Sequence, residues 1–265
     1  MSLQVVVNFR VVDETADWVV VDKPAPLIVH PANNKPEPTL LGGLESLYSY
    51  EMENGACLGI ITRLDRETSG LVLVAKHTAA ARELGMIFER REARKEYLAI
   101  VKGWPAEDEW VCDAPIIRAG EISPSAIWVR QVVDARGKEC STRFIVERRF
   151  LRDGMEFSLV RCFPETGRMH QIRVHLAGSD FPIAGDKLYS GDGSEYLEWM
   201  EQGWNASLAE KLILPRHALH ASRLGIDWQG SEISWQADLA PDLIDFIEGK
   251  PVDFAEGVVN WSRKG

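Results

Sequence analysis

The sequence predicts an α+β fold built on a mostly antiparallel sheet. Apolar, β-branched segments of strand length outnumber segments with a helical period, and the two kinds do not alternate regularly along the chain. The chain has 265 residues, of which 45% are apolar, so it is long enough to bury a sizeable core. Because no internal repeat, low-complexity tract or clear hinge interrupts it, we expect a single domain over residues 1–265.

The N-terminal half contains clear strand and helix patterns. Residues 17–22 are apolar and β-branched, and the Lys-Pro-Ala-Pro sequence that follows predicts a strand ending in a turn. A short helix is predicted around residues 41–50. The apolar run 71–75 predicts a strand that is covered on both faces. In residues 77–94 apolar side chains recur every three or four positions, which predicts an amphipathic helix that ends near Lys95.

The C-terminal half continues with short segments of the same two kinds. They are recognised by apolar alternation, β-branched content and helical spacing. The predicted strands span residues 97–102, 127–133, 142–146, 157–162, 169–176 and 232–237, and the predicted helices span 194–202 and 206–212.

The composition argues against several classes of protein. No apolar run reaches the roughly 18 residues needed to cross a membrane, and the N-terminal segment lacks the apolar stretch of an export signal. The cysteines, Cys57, Cys112, Cys140 and Cys162, are widely spaced and form no C-x-x-C pair, which indicates reduced structural thiols. We therefore expect a cytoplasmic protein with no membrane association and no bound metal.

A dense polar loop lies between two apolar segments at residues 63–70. It reads Arg-Leu-Asp-Arg-Glu-Thr-Ser-Gly and places the carboxylate of Asp65 between Arg63 and Arg66. A loop fixed between two core strands can position a catalytic acid accurately. Taken alone, however, the pattern favours an ordinary turn in which Asp65 bonds to nearby backbone amides, so the catalytic interpretation needs further support.

A second polar motif spans residues 166–175 and reads Thr-Gly-Arg-Met-His-Gln-Ile-Arg-Val-His. As a strand it would place Gln171, Arg173 and His175 on one face and apolar residues on the other. Three such side chains on one face indicate either a surface that binds or converts a ligand, or a structural ladder of hydrogen-bonded side chains. His170 falls on the apolar face, which favours a structural role for it.

The third motif is a basic cluster in which Arg90, Arg91, Arg94 and Lys95 precede Tyr97. Cations at a helix end usually form a solvated face that complements the helix dipole, so the cluster is weak support for a binding site by itself. Together with the arginines of the other motifs it would form a positively charged groove. Those arginines are Arg63, Arg66, Arg168, Arg173 and Arg216.

The net charge of −10 argues against a sequence-independent nucleic-acid binder, because phosphate neutralisation supplies much of the affinity of such proteins. A cleft of positive potential can nevertheless coexist with an acidic surface elsewhere. A nucleic-acid ligand therefore requires the basic groove that these motifs would form.

Several sequence blocks resemble, in order and spacing, the signature blocks of RluA-type pseudouridine synthases, and they run from about residue 18 to residue 224. The resemblance implies an enzyme that isomerises uridine to pseudouridine in RNA without a metal or organic cofactor. It also implies a mixed, mostly antiparallel central sheet that is flanked by helices and split by an RNA-binding cleft. The blocks are VVVDKPAPLIVHP, RLDRETSGLVLVAK, KEYLAIVKG, ETGRMHQIRVHLA, FPIAGDKLY and RHALHASRL.

The resemblance implies roles for individual residues. Asp65 matches the essential aspartate, expected here as a nucleophile, Tyr97 the tyrosine packed against the target uracil, and Arg173 the arginine paired with that aspartate. Arg63 matches a residue that fills the gap left by the extracted base in some relatives. The expected RNA-binding residues are Arg63, Arg66, Arg90, Arg91, Arg94, Lys95, Arg168, His170, Gln171 and Arg216.

Three positions depart from the usual family pattern. Thr62 stands where relatives often have His, Pro26 replaces a frequent Gly, and Met169 replaces a frequent Thr or Ser. None of these departures removes a predicted catalytic group, but they affect the shape of the cleft and therefore the substrate. Because the chain starts almost directly with the signature blocks, we also expect no separate N-terminal RNA-binding domain.

Two other functions remain open on the sequence. A carboxylate-dependent hydrolase would use Glu67 or Glu165 as a second acid. A catalytically silent RNA-binding or chaperone protein would retain the fold without the reaction. The sequence does not distinguish ribosomal from transfer RNA as the substrate, and we expect no obligate protein partner and a monomeric form.

Overall fold

The computed structural model describes residues 7–31 and 37–252 of the chain. Residues 1–6, which belong to the segment considered above for an export signal, lie outside the described residues. The chain divides into two compact units, each with hydrophobic clusters of its own. Within the described residues, the first unit falls in Met1–Lys95 and Ala221–Ala240, and the second falls in Glu96–His220 and Pro241–Gly265.

Strands outnumber helices in the described part of the chain. The strands are β1 (Arg10–Glu14), β2 (Trp18–Lys23), β3 (Gly59–Ile60), β4 (Ser69–Ala75), β5 (Arg94–Lys102), β6 (Glu109–Cys112), β7 (Ile116–Arg118), β8 (Gln131–Val133), β9 (Thr142–Arg152), β10 (Met155–Pro164), β11 (Leu219–Trp228) and β12 (Ser231–Gln236). The helices are α1 (Leu40–Leu47), α2 (Ser49–Glu53), α3 (Thr78–Glu89), α4 (Gln171–Gly178), α5 (Ser194–Gln202), α6 (Ala206–Leu212) and α7 (Pro241–Ile247). Within residues 7–31 and 37–252, no helix is both long and apolar enough to cross a membrane.

Strand β4 is the centre of the first unit. In the strand order β1-β2-β4-β11 it lies between β2 and β11, and all seven of its residues are buried. Leu71 and Leu73 pack on one face with apolar residues of α3, whereas Val72 and Val74 pack on the other face with apolar residues of α1. This double cover explains why the segment is continuously apolar and does not alternate.

The second unit is organised around the antiparallel strands β5, β10, β9 and β6, which pair in that order. Strands β7 and β8 form a separate two-stranded sheet. Val174 of α4 packs in one cluster with Ile116, Ile127, Leu188 and Tyr189, so the segment that contains β7 and β8 is attached to α4 through apolar side chains.

Helix α3 ends at Glu89, so the prediction that it continues to Arg94 is wrong. Arg91 has a left-handed backbone with φ of 62°. The amides of Arg91 and Glu92 donate back to the carbonyls of the last helical turn, which is the Schellman arrangement that glycine usually makes. Because an arginine occupies the position of that glycine, the sequence pattern predicts a helix that is too long.

The prediction of a strand over residues 169–176 is wrong, because Gln171–Gly178 form helix α4. All residues from Gln171 to Leu176 are buried, so the helix has no solvent face that would reveal a helical period in the sequence. Gln171 and His175 lie one turn apart on the same side of the helix, and Arg173 points to another side. The predicted single polar face therefore does not exist.

Most other predicted elements are confirmed. Helices α5 and α6 have the predicted bounds, and β2, β4, β10 and β12 lie within a residue or two of theirs. The strand predicted at 127–133 exists only as Gln131–Val133, because residues 127–130 form a turn. The α+β fold class with a mostly antiparallel sheet and flanking helices is confirmed.

Candidate active site

Asp65 lies on the turn that leads into strand β4. Its carbonyl accepts a hydrogen bond from the amide of Thr68 at 3.1 Å, which closes a four-residue turn. The strand begins at Ser69 and is buried throughout. The partly buried Asp65 is therefore carried on a short turn directly ahead of a fixed element.

The buried ammonium group of Lys23 holds this turn in place. Lys23 ends strand β2 and is fully buried. Its Nζ donates to the carbonyls of Leu27 at 2.8 Å, Pro24 at 3.0 Å and Arg66 at 3.3 Å. The amide of Leu27 also donates to the Arg66 carbonyl, at 2.9 Å. Because a buried charge must be compensated, the ammonium group ties the residue next to Asp65 to the end of β2.

Gly70 allows the segment after the turn to approach strand β11. Its φ is 108°, in the region that favours glycine. A Cβ atom at this position would lie 2.3 Å from the carbonyl oxygen of Ala221, which no side chain can accommodate. Both the backbone angle and the close contact therefore require glycine two residues after Thr68.

Arg173 on helix α4 forms a buried, bidentate ion pair with Asp186. Its Nε and Nη2 donate to the two carboxylate oxygens at 2.7 and 2.9 Å. The side chains are 6% and 0% exposed. Asp186 Oδ1 also accepts from the amides of Leu188 and Tyr189, at 3.0 and 3.2 Å. These contacts fix the plane and the direction of the guanidinium group.

Tyr189 adds a second support for Arg173. Its ring centroid lies 5.0 Å from the guanidinium carbon, within the range of a cation–π contact. Its hydroxyl accepts from the amide of Gln131 at 3.0 Å and hydrogen bonds to Nδ1 of His170 at 2.7 Å. His170 precedes α4 with a left-handed φ of 58°. Tyr189 therefore joins strand β8, the turn before α4 and Arg173.

Three cationic side chains surround His217 in the interior of the second unit. Arg173, Lys187 and Arg216 are all buried, as is His217. Burial is the first cause that holds the pKa of His217 well below its usual value, and the charges of Arg173, Lys187 and Arg216 lower that pKa further. His217 is therefore neutral near pH 7, and two of the cations around it, Arg173 and Arg216, are themselves paired with carboxylates.

Gln171 is buried, and its amide is fully engaged inside the protein. Its Oε1 accepts from the hydroxyl of Thr166 and the amide of Arg168, and its Nε2 donates to the Ser141 carbonyl and the Thr142 hydroxyl. Four partners satisfy the hydrogen-bonding capacity of a side-chain amide. Gln171 thus connects the turn before α4 to strand β9.

Two further predicted RNA-binding arginines have acidic partners. Arg216 is buried and forms a bidentate pair with Asp242 at 2.6 and 2.8 Å. Arg66 is partly buried, and its Nη1 donates to Glu37 at 2.8 Å. By contrast, the side chain of Arg63 is exposed.

The basic cluster between α3 and β5 divides into two parts. Arg90 and Arg91 are exposed at the end of the helix. Arg94 is also exposed, but it forms ion pairs with Asp227 at 3.3 Å and Glu232 at 3.0 Å. The charge of Arg94 is therefore balanced by two acids of the same unit.

Lys95 is partly buried, and burial lowers its pKa to about 8, with a smaller contribution from the charge of Arg91. Tyr97 lies further along β5, where it is paired with Cys162 of β10, and its ring is partly buried. Asp65 belongs to the first unit, and Tyr97 and Arg173 belong to the second. Their predicted approach to one another stays a prediction.

The acids considered for a hydrolase lie in different surroundings. Glu67 follows Asp65 on the turn and is partly buried, whereas Glu165 is exposed. Among residues 7–31 and 37–252, no group of three His, Cys, Asp or Glu residues is arranged to hold a metal ion.

Three residues that build the site were not singled out in the sequence. Lys23 lies in the block VVVDKPAPLIVHP, and Asp186 and Tyr189 lie in FPIAGDKLY. For Lys23 and Asp186 the available signal was a charged pair of residues inside a mostly apolar block, and Tyr189 had no such signal. A charged residue is buried only when its charge is compensated, so it indicates a specific partner elsewhere.

The first unit thus carries an acid on a turn directly ahead of a buried strand, and the second unit carries a buried arginine whose direction is fixed by an acid. The family model described as RNA pseudouridylate synthase matches residues 17–178. The chain therefore belongs to the RNA pseudouridylate synthase family, which confirms the RluA-type resemblance.

Individual relatives agree with this assignment. The chain is 32% identical over 245 residues to the ribosomal large subunit pseudouridine synthase D of Nitrosomonas europaea, covering 91% of this chain and 65% of that protein. It is 34% identical over 240 residues to an uncharacterized RNA pseudouridine synthase of Bacillus subtilis, covering 89% and 70%. The chain thus spans about two thirds of the length of these relatives.

A solved structure has the same fold. The human RNA Pseudouridylate Synthase Domain Containing 1 is 25% identical to this chain, with a TM-score of 0.68 and coverage of 92% of this chain and 89% of that one.

Proposed function

We propose that this chain isomerises uridine to pseudouridine in RNA, with Asp65 as the nucleophilic carboxylate and with Tyr97 and Arg173 beside the target base. The observation that carries the proposal is the anchored turn. Asp65 precedes a carbonyl that is bound by the buried Lys23, and it stands directly ahead of a buried strand. A residue that only closes a surface turn does not require this support, whereas a catalytic group must be held in one geometry.

The chemistry needs an ionised acid. The bond between uracil N1 and ribose C1′ breaks, the base rotates in place, a bond forms between C5 and C1′, and the C5 proton is lost as N1 gains one. Asp65 can attack the uracil, attack the ribose or remove a sugar proton, and each of these routes requires the carboxylate form. Hydrogen bonds from a neighbouring guanidinium group favour the carboxylate form, and this is the role proposed for Arg173, whose direction is fixed by its ion pair with Asp186.

The detached uracil must be retained while it turns. An aromatic ring offers a flat surface that tolerates rotation of a stacked base, and this is the role proposed for Tyr97. Its hydroxyl is suited to removing the C5 proton through a water molecule.

The predicted RNA-binding residues divide into exposed residues, which can contact RNA, and buried or paired residues, which cannot do so in the same way. Arg63, Arg90, Arg91 and Arg168 are exposed, and we assign them to the phosphate backbone and to the gap left by the flipped base. Lys95, Arg94 and His170 lie next to these residues in the chain. The buried Gln171 and Arg216 and the paired Arg66 are assigned to holding the surrounding structure.

The proposed substrate is large-subunit ribosomal RNA, because that is the RNA named for the relative from Nitrosomonas europaea. Transfer RNA is the other outcome of the test. The reaction as written needs no cofactor, and a cytoplasmic location and a monomeric form are part of the proposal.

The test is tritium release from RNA labelled at uracil C5. Wild type is expected to release tritium from a large-subunit ribosomal transcript, and Asp65→Asn is expected to release none at an unchanged melting temperature. Glu67→Gln serves as the matched control, because it neutralises the other acid of the same turn and should retain activity. Unchanged release by Asp65→Asn would remove this residue from the mechanism.

Other outcomes identify the rival functions. Liberated uracil or ribose fragments would indicate a hydrolase, in which case Glu67→Gln should also lose activity. Tight binding of RNA without any release by wild type would indicate a silent RNA-binding protein. Release from transfer RNA alone would change the substrate and leave the reaction in place.

A further inference from the structure

Trp128 is an aromatic side chain exposed on the second unit. It is 73% exposed, although it follows the buried Ile127. The guanidinium carbon of Arg118 lies 3.8 Å from the centroid of its ring, so one face of the indole is covered by a cation. With that face covered, the high exposure must come from the opposite face and the ring edge. A tryptophan gains no burial energy in this position.

The backbone around Trp128 is fixed. Ile127 packs in the same cluster as Val174 of α4. The side chain of Arg130 donates to the carbonyl of Gly191 at 2.9 Å, and the amide of Gln131 donates to the hydroxyl of Tyr189 at 3.0 Å. The indole is therefore presented on a rigid support, which lowers the entropy lost when a ligand stacks on it.

A ring contact, a strand pairing and a side-chain contact link Trp128 to the segment of the predicted RNA-binding residue Arg168. Arg118 of β7 is directly opposite Gln131 of β8. The side-chain Nε2 of Gln131 donates to the sulfur of Met169 at 3.7 Å, and Met169 is 52% exposed and adjacent to the exposed Arg168. We call these residues, Arg118, Trp128, Gln131, Met169 and Arg168, the Trp128 strip.

We propose that the Trp128 strip binds an unpaired nucleotide of the substrate RNA next to the target uridine, with the base stacked on the open face of Trp128. An open indole face can stack with any base, because every base has a flat π-face. The exposed Arg168 at one end of the strip supplies positive charge that RNA requires in a protein with a net charge of −10, whereas Arg118 at the other end shares its charge with Glu121, 3.4 Å away. The inference rests on the proposed function, since it concerns the same substrate.

Steady-state kinetics and cross-linking test the proposal. Trp128→Ala is expected to raise KM for RNA about 5- to 100-fold, the range measured when a stacking aromatic residue is removed, with little change in kcat. Trp128→Phe should recover most of the loss because it keeps a stacking face. With RNA that carries 5-iodouridine near the target, irradiation of wild type should attach the RNA to the peptide containing Trp128.

The matched control is Tyr50→Ala, because Tyr50 on α2 is 74% exposed and belongs to the other unit. The proposal is overturned if Trp128→Ala changes KM no more than this control does, or if the cross-link maps elsewhere. These outcomes are distinct from failure of the proposed function. Wild type that cross-links at Trp128 but releases no tritium would retain the strip and exclude the isomerase.

Discussion

Arg173 and Asp186 neutralise each other inside the second unit, because one guanidinium group engages both oxygens of one buried carboxylate. The pair as a whole carries no net charge. In the proposed reaction Arg173 therefore acts through directed hydrogen bonds. Asp186 is thus a positioning residue for Arg173.

Asp186→Asn is expected to destabilise the protein by about 3–5 kcal/mol, because removing one partner leaves the other charge buried without compensation. Urea unfolding measures this loss. In the folded fraction, kcat for tritium release should fall more than KM rises, since the guanidinium group loses its fixed direction.

The control for this prediction is an exposed pair of the same type. Arg143 and Glu109 lie 3.2 Å apart with side chains 44% and 56% exposed. Glu109→Gln should cost at most about 1 kcal/mol and leave activity unchanged. If both variants lose the same small free energy of unfolding, Asp186 does not have the role assigned to it.

The sequence predicts an element well when one face of the element is buried, or when apolar side chains are buried on both of its faces. The apolar run of β4 and the periodic helices α5 and α6 follow directly from this rule. Helix α4 is not predicted by this rule. Its polar side chains are buried and form hydrogen bonds with partners in other segments of the chain, such as Asp186 and Thr142. A buried helix with internal hydrogen bonds has no polar face to signal its period.

The candidate site shows the same limit. Asp65 is identifiable because its loop is dense in charge between apolar segments. Lys23 and Asp186 are not identifiable in this way, because each lies with a single neighbouring charge in a mostly apolar block, and its role depends on a partner in another segment of the chain. Charge in the sequence also overstates the RNA surface, since Arg94 and Arg216 are balanced by acids.

Arg91→Gly is expected to stabilise the protein and weaken RNA binding. A non-glycine residue with φ of 62° carries about 1 kcal/mol of backbone strain, which glycine relieves. The free energy of unfolding should therefore rise by about 0.5–1 kcal/mol. Because the exposed guanidinium group is lost, the slope of log affinity against log salt should fall by roughly one unit.

The matched control is Gln229→Gly, at an exposed position between β11 and β12 where φ is 50°. It should give a similar gain in stability and the same salt slope as wild type. An unchanged salt slope in Arg91→Gly would show that Arg91 does not contact phosphate. A loss of stability in both variants would contradict the assignment of strain.

Lys95 should make RNA binding sensitive to pH. Its pKa is lowered to about 8, chiefly by burial, so its charge is present at pH 7 and largely lost at about pH 9. RNA affinity and the salt slope should both decrease over this interval. Lys95→Arg, which stays charged, should abolish that part of the decrease, and comparing the two proteins cancels the ionisation of the RNA bases.

The lowered pKa of Lys95 also makes the free energy of unfolding depend on pH. The folded state holds the pKa of Lys95 below its usual value of 10.5, so it disfavours the protonated form. This group therefore opposes folding most at low pH, and its cost to stability decreases as pH rises from about 8 to 10.5. Equal pH dependence of RNA binding in wild type and Lys95→Arg would place Lys95 away from the RNA.

Lys23→Met should remove the support of the Asp65 turn. The methionine fills a similar volume, but the carbonyls of Leu27 and Arg66 lose the ammonium donor, which costs about 2–4 kcal/mol in the free energy of unfolding. The turn is then held by fewer contacts, so kcat for tritium release should fall at least about tenfold at a temperature where the variant is fully folded. Lys138→Met, at an exposed lysine, is the control and should change neither quantity. A folded Lys23→Met protein with the kcat of wild type would show that the position of Asp65 does not depend on this buried charge.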